Sequence, residues 1–217
     1  IIMNNTIDLY INKIQAKSNI STAFKELILP ELSGNVLDVG FGNGDHLRLM
    51  RKAGLVCEGI DGSKKNVEKL KSEDFKVQLA DFNKKLPIVD SSIDTFFCSH
   101  VLEHIESPYL FLLEANRVIK FGGKIIIGVP LEFNLYMKIL GDDYFDNHEG
   151  HLYAFSTKNM VKLFSLTGFI VIKQYYNILL LKRIGLSKLI KLLQIFPRID
   201  ILYGLISNEF WTIGVKK

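Results

Sequence analysis

Short apolar runs alternate along the chain with segments whose apolar residues recur at helical spacing. This alternation predicts βαβ units wound into an α/β, Rossmann-like fold on a mostly parallel sheet. The apolar runs are 35–40, 56–61, 76–81, 93–99 and 124–129. Between them, 44–53, 64–71 and 108–120 read as helices, with Gly54 and Gly122-Gly123 as stops and Pro108 in a first turn. Ser156 is an N-cap for a helix reaching about Leu166, and Gly168 ends it. Two late runs, 169–176 and 210–216, bring the strands to seven, and the few residues left for crossovers predict that this last pair is antiparallel.

The remainder divides into three appendages on one domain spanning 1–217. Residues 1–30 form a helical cap that Pro30 terminates. Residues 131–155 are irregular and read as a lid over an acceptor site. Residues 178–208 form an apolar-basic helical insert between the last two strands.

A hydrophobic content of 48% supports a real core. The formal charge of +4 has no early arm of clustered Lys and Arg, so no nucleic-acid partner is expected. Cys57 and Cys98 sit singly in apolar runs, as small buried hydrophobes in a reducing compartment would. With no leader pattern and no apolar run of about 18 residues, a cytoplasmic location is expected.

The most informative stretch is Val36-Leu-Asp-Val-Gly-Phe-Gly-Asn-Gly-Asp45. A strand enters three glycines at alternate positions, Gly40, Gly42 and Gly44, and then a helix, which lets bare backbone approach a ligand at the strand tip. A dinucleotide fingerprint would need glycine at position 45, where Asp45 stands. A carboxylate beside a pyrophosphate is electrostatically poor, whereas it tolerates a ligand carrying a sulfonium and an ammonium. Asp61 closes the second run and can accept hydrogen bonds from both hydroxyls of a ribose. Asp81 closes the third; it can accept from an adenine amine while Phe82 packs on the ring.

In these motifs the chain resembles the class I S-adenosylmethionine-dependent methyltransferases. Residues 36–44 look like their first motif, with Phe41 where Cys or Ser is usual. Asp61 matches the ribose position and Asp81-Phe82 the adenine position. His100-Val-Leu-Glu-His-Ile105, followed by Pro108, Leu113, Glu114, Arg117 and Gly122-Gly123, is similar to a small-molecule subgroup that includes ubiquinone-biosynthesis-type enzymes. The resemblance covers about residues 30–177. It implies strand order 3-2-1-4-5-7-6 with strand seven antiparallel, and S-adenosylmethionine as cofactor with S-adenosylhomocysteine as product. It also implies a cofactor site formed by Asp38, Gly40, Phe41, Gly42, Asn43, Gly44, Asp61, Gly62, Ser63, Ala80, Asp81, Phe82, Ser99 and His100.

A sulfonium methyl is already electrophilic, so the protein must hold the acceptor atom in line and exclude water. An oxygen or nitrogen acceptor can also need a base, and histidine suits that task. His100, His104, His148 and His151 lie where an acceptor would sit and are the candidate catalytic residues; His46 reads as structural. The set His100, Glu103, His104 and distant His151 is similar to the Glu-x-x-Glu-His plus distant His that binds a divalent metal in some relatives. With His100 in place of the first Glu, no metal is assigned.

The expected function is methyl transfer to a small-molecule acceptor, at oxygen, with a lipid-linked or sugar-like acceptor compatible with the motifs. Residues 178–200 offer a possible peripheral membrane contact, and the chain is expected as a monomer or homodimer. Two other readings stay open: a non-catalytic module that binds the nucleoside and regulates a partner, and a nicotinamide-dependent oxidoreductase, which Asp45 disfavours.

Overall fold

The structure, a computed structural model, describes residues 24–131, 150–178 and 207–217. Seven strands form one sheet in the order β3-β2-β1-β4-β5-β7-β6. They are β1 (Asn35–Val39), β2 (Val56–Asp61), β3 (Val77–Leu79), β4 (Ile93–Ser99), β5 (Ile119–Pro130), β6 (Phe169–Ile178) and β7 (Ser207–Lys216). The β1–β2, β1–β4, β2–β3 and β4–β5 pairs are parallel, and β7 runs antiparallel to both β5 and β6. This is the topology the motifs imply.

Among the described residues, four α-helices flank the sheet: α1 (Asp45–Lys52), α2 (Lys64–Lys71), α3 (Pro108–Val118) and α4 (Thr157–Leu166). Their starts follow capping chemistry. Ser63, Ser107 and Ser156 each accept, through the hydroxyl, from a main-chain N–H three residues on. Central strands carry apolar residues on both faces because helices lie on both sides. Val36, Leu37, Val39, Phe96, Phe97, Ile125, Ile126 and Ile127 are fully buried.

Boundaries shift where pairing overrides local signals. The helix expected to reach Lys120 stops at Val118, because Ile119 already pairs with Ile93. Lys120–Gly123 then loop out before Lys124 pairs with Thr95, a bulge that the left-handed Gly122 (φ +75°) permits. β3 is shorter than expected and leaves Asp81 beyond its end, while β6 and β7 are longer. Of the expected helical cap, Phe24–Ile28 form one π turn and Leu29–Glu31 one 3-10 turn, with Phe24 and Ile28 fully buried. Most of the lid, including His148, and nearly all of the insert lie outside the described residues. Among the described residues no helix is long and apolar enough to cross a membrane.

Candidate active site

The carboxyl ends of β1, β2 and β4 meet at the glycine loop. Gly40 N–H donates to the Ile60 carbonyl at 2.8 Å, and Gly42 N–H donates to Asp61 Oδ2 at 2.8 Å. Gly40 and Gly42 are both left-handed, at φ +75° and +53°. They differ in what surrounds them. A Cβ on Gly40 would fall 2.3 Å from a Val101 methyl, whereas a Cβ on Gly42 would meet nothing within 4 Å. Gly40 is therefore required by packing, and Gly42 presents bare backbone to open space.

Asp61 is the hub of this end. Its Oδ1 accepts from Ser63 N–H at 2.8 Å and from Asn66 Nδ2 at 3.2 Å, which fixes the start of α2. Burial raises its pKa, and the hydrogen bonds from Ser63, Gly42 and Asn66 oppose that rise. Ala80 N–H donates to the Asp61 carbonyl at 3.0 Å, so Gly62, Ser63 and Ala80 lie side by side. Asp38 is 1% exposed, and its Oδ2 has no hydrogen-bond partner. Burial, reinforced by the charge of Asp61, pushes its pKa well above the ordinary carboxylate range. A buried carboxylate left this way is strongly disfavoured unless something positive or hydrogen-bonding reaches it.

The remaining residues of the expected cofactor set divide. Asn43 gives its carbonyl to Arg48, and Gly44 caps α1 in left-handed geometry. The Phe41 ring turns inward onto Leu47, Val67, Leu70 and Phe75, so Phe41 can offer a ligand only its main chain. Asp81 is exposed and engaged locally, accepting from Asn83 N–H at 3.0 Å and pairing with Lys84 at 3.1 Å. Phe82 lies near Phe111, with ring centroids 6.3 Å apart.

The side of the site beyond β4 is polar and tightly wired. His100 follows β4 with a left-handed backbone (φ +53°), a strained state for a residue with a side chain, and its N–H donates to the Gly128 carbonyl. Its Nε2 meets Glu209 Oε2 at 2.8 Å and its Nδ1 lies 3.6 Å from Glu103 Oε1. Burial alone would lower its pKa, but the adjoining carboxylates of Glu103 and Glu209 outweigh it and push the imidazole up to about 10. Burial would likewise raise the two carboxyls, yet His100 holds both below their ordinary value. Over a third of the His100 side chain (37%) is open. Glu209 also accepts from Asn177 Nδ2 at 3.0 Å and Trp211 Nε1 at 3.2 Å. The sequence reading missed Glu209 and Asn177; a lone acid entering an otherwise apolar run, Glu209-Phe-Trp, was the available signal.

His104 and His151 stand edge to face with centroids 4.8 Å apart. His104 Nδ1 lies 2.8 Å from the Gly150 carbonyl, which can only accept. His46 is wedged between Phe24 and Phe97, at 4.3 and 5.1 Å. Burial lowers its pKa to about 4, so it is a neutral core histidine.

Residues 37–127 match the family model described as a methyltransferase domain. Residues 37–127 thus carry a methyltransferase domain, and the seven-stranded order with the glycine loop at its centre is the fold seen in S-adenosylmethionine-dependent methyltransferases.

The domain is 30% identical over 95 residues to a demethylmenaquinone methyltransferase of Tropheryma whipplei, covering 42% of this chain and 40% of the relative. It is 29% identical over 110 residues to a 27-O-demethylrifamycin SV methyltransferase of Amycolatopsis mediterranei, covering 46% and 40%. In fold it is similar to a SAM-dependent methyltransferase of Archaeoglobus fulgidus, at TM-score 0.66 and 20% identity over 90% of this chain and 92% of that one. The matched part of the methyltransferase chain spans between about a third and about half of its curated relatives, at 36% and 53% of two of them.

Proposed function

We propose that the chain binds S-adenosylmethionine across the tips of β1, β2 and β3 and transfers its methyl group to a small-molecule acceptor, at oxygen. The observation that carries this reading is the pairing of bare backbone at Gly42 with Asp61, beside a buried Asp38 whose Oδ2 lacks a hydrogen-bond partner. An ammonium and a sulfonium supply the positive charge that Asp38 lacks, and Asp61 keeps lone pairs for ribose hydroxyls. Gly40, Gly42, Asn43 and Gly44 offer main chain to the amino-acid end; Gly62, Ser63 and Ala80 flank the ribose. Asp81 and Phe82 would meet the adenine once Asp81 turns from Lys84.

Transfer itself requires little covalent help. The acceptor atom must lie in line with the S–CH3 bond at about 3 Å, in a site closed to water. His100, Ser99, His104 and His151 face that region from the β4 side. Both ring nitrogens of His100 face carboxylates, so it serves as a fixed cationic wall rather than as a base. The relatives named above are named for a quinone and a rifamycin, and another is named for a tRNA uridine.

Calorimetry of the full chain with S-adenosylmethionine, S-adenosylhomocysteine and NAD tests the first half. Micromolar binding of the sulfur nucleosides without NAD binding is expected; the reverse makes the chain an oxidoreductase. Acceptor-dependent release of S-adenosylhomocysteine tests the second half, and tight binding without any release would leave a nucleoside-binding module that regulates a partner.

A further inference from the structure

Two loops that serve the two halves of the proposed site are tied to opposite sides of one residue, Glu106. On the cofactor half, Asn83 stands in the stretch from Ala80 to Leu86 that carries Asp81 and Phe82. Both ends of this stretch are anchored. Ala80 N–H donates to the Asp61 carbonyl at 3.0 Å. Leu86 N–H donates to Glu114 Oε2 at 2.9 Å, and its carbonyl accepts from Arg117 at 3.0 Å. Between those anchors Asp81 Oδ1 accepts from Asn83 N–H at 3.0 Å, and Asn83 Oδ1 accepts from Glu106 N–H at 3.0 Å.

On the other half, the Glu106 carbonyl accepts from the Tyr153 hydroxyl at 2.8 Å. Tyr153 belongs to a segment that docks on the turn after β4 through two further bonds. Leu152 N–H donates to the Glu103 carbonyl at 2.7 Å, and the Gly150 carbonyl accepts from His104 Nδ1 at 2.8 Å. Gly150 holds a left-handed backbone (φ +110°) that a side chain would strain, so this approach is built for glycine. The segment sets His151 against His104. Glu106 itself has little freedom, because it joins the 3-10 turn Leu102–His104 to Ser107, the N-cap of α3, with Pro108 next.

We propose that Asn83 and Tyr153 are positioning residues that couple cofactor binding to the wall of the acceptor site. The inference rests on the proposed cofactor reading. Without ligand, Asp81 pairs with Lys84, whose side chain is exposed and free to swing. An adenine held by Asp81 and packed on Phe82 replaces that flexible partner with a rigid ring. The near end of the chain Asp81–Asn83–Glu106–Tyr153 is then fixed, and its far end holds the segment bearing His151 more tightly. The wall is therefore completed only after the nucleoside is in place, and an acceptor that contacts His104 or His151 binds better to the loaded protein. The bonds on either side of Glu106 are exposed and individually small in net worth, which suits a linkage that a ligand can bias.

The test is amide exchange of the whole chain, resolved residue by residue in NMR spectra, with and without saturating S-adenosylhomocysteine. In the wild type the ligand should slow exchange of the Glu106 and Leu152 amides by about fivefold or more, the low end of coupling between sites. Slowing at Ser63 and Asn66, next to Asp61, reports that the ligand is bound and the variant folded. Tyr153→Phe keeps the ring and loses only the hydroxyl donor, so it should retain the slowing at Glu106 and lose it at Leu152. Asn83→Ala should lose both, and Asn83→Asp, which keeps an acceptor oxygen, should restore both. Because coupling is reciprocal, S-adenosylhomocysteine affinity in the variants should fall by no more than the factor of slowing that is lost. A contribution to stability alone would change exchange equally with and without ligand. Slowing at Leu152 that survives in both Tyr153→Phe and Asn83→Ala overturns the proposal. So does a bound wild type that slows at Ser63 and Asn66 but not at Leu152, a result that leaves the proposed function standing. A wild type that does not bind S-adenosylhomocysteine removes the proposed function, and the coupling with it.

Discussion

Replacing Asp38 with Asn should stabilise the ligand-free protein while weakening its hold on the cofactor. In the folded chain Asp38 is almost fully buried, its Oδ2 has no partner, and the charge of Asp61 is close enough to raise its pKa further. A buried polar group without a partner costs about 1–3 kcal/mol, and more when charged. Asn keeps the shape and removes the charge, so a gain of about 1–3 kcal/mol in unfolding free energy is expected near neutral pH. The pH dependence gives the sharper check. Because the folded pKa lies above the unfolded one, stability present below about pH 4 is lost as pH rises through the folded value. Wild type and Asp38→Asn should therefore diverge from about pH 4 upward, with the variant ahead. Guanidinium unfolding at several pH values between 4 and 8 measures this. In the same variant, affinity for S-adenosylmethionine should fall by about 10-fold, equivalent to roughly 1.4 kcal/mol. A stability gap of constant size across that range, or a variant less stable at pH 7.5, refutes the reasoning.

Other substitutions separate the groups around this one. Gly42→Ala keeps open space around the new methyl but strains a left-handed residue. It should lose only about 1–2 kcal/mol of stability while S-adenosylhomocysteine affinity, followed by calorimetry, drops by far more. Asp61→Ala should weaken S-adenosylmethionine binding by about 1–3 kcal/mol, the scale of hydrogen bonds to a charged group, and also lower the melting temperature, since three donors lose their acceptor. Unchanged affinity there would remove the ribose assignment. His46 has its pKa lowered to about 4, so wild type should lose stability as pH falls from about 6.5 toward 4. A His46→Leu variant should show a flatter acid limb in thermal unfolding.

The sheet order, the glycine loop and Asp61 were readable because each is written locally: a strand, a turn that only glycine fits, a helix cap. Glu209 was not, because its meaning arises from β7 lying beside β5, which sets it opposite Pro130 and within reach of His100. Phe41 was legible only in part, for a related reason. Its place in the motif suggested the ligand, but its ring fills the space left by Gly59, where a Cβ would sit 2.7 Å from it. The bulge before Lys124 was likewise invisible, since Gly122-Gly123 reads equally as the end of a helix.

The interleaving of β7 has a consequence for biosynthesis. β5 and β6 never pair with each other; each is hydrogen-bonded to the strand made after both. A nascent chain that has emerged only as far as β6 holds a half-built sheet whose Ile125–Ile127 edge is bare and whose sixth strand has no neighbour. Such edges invite intermolecular pairing, so chaperone dependence should concentrate in the interval between translation of the two strands.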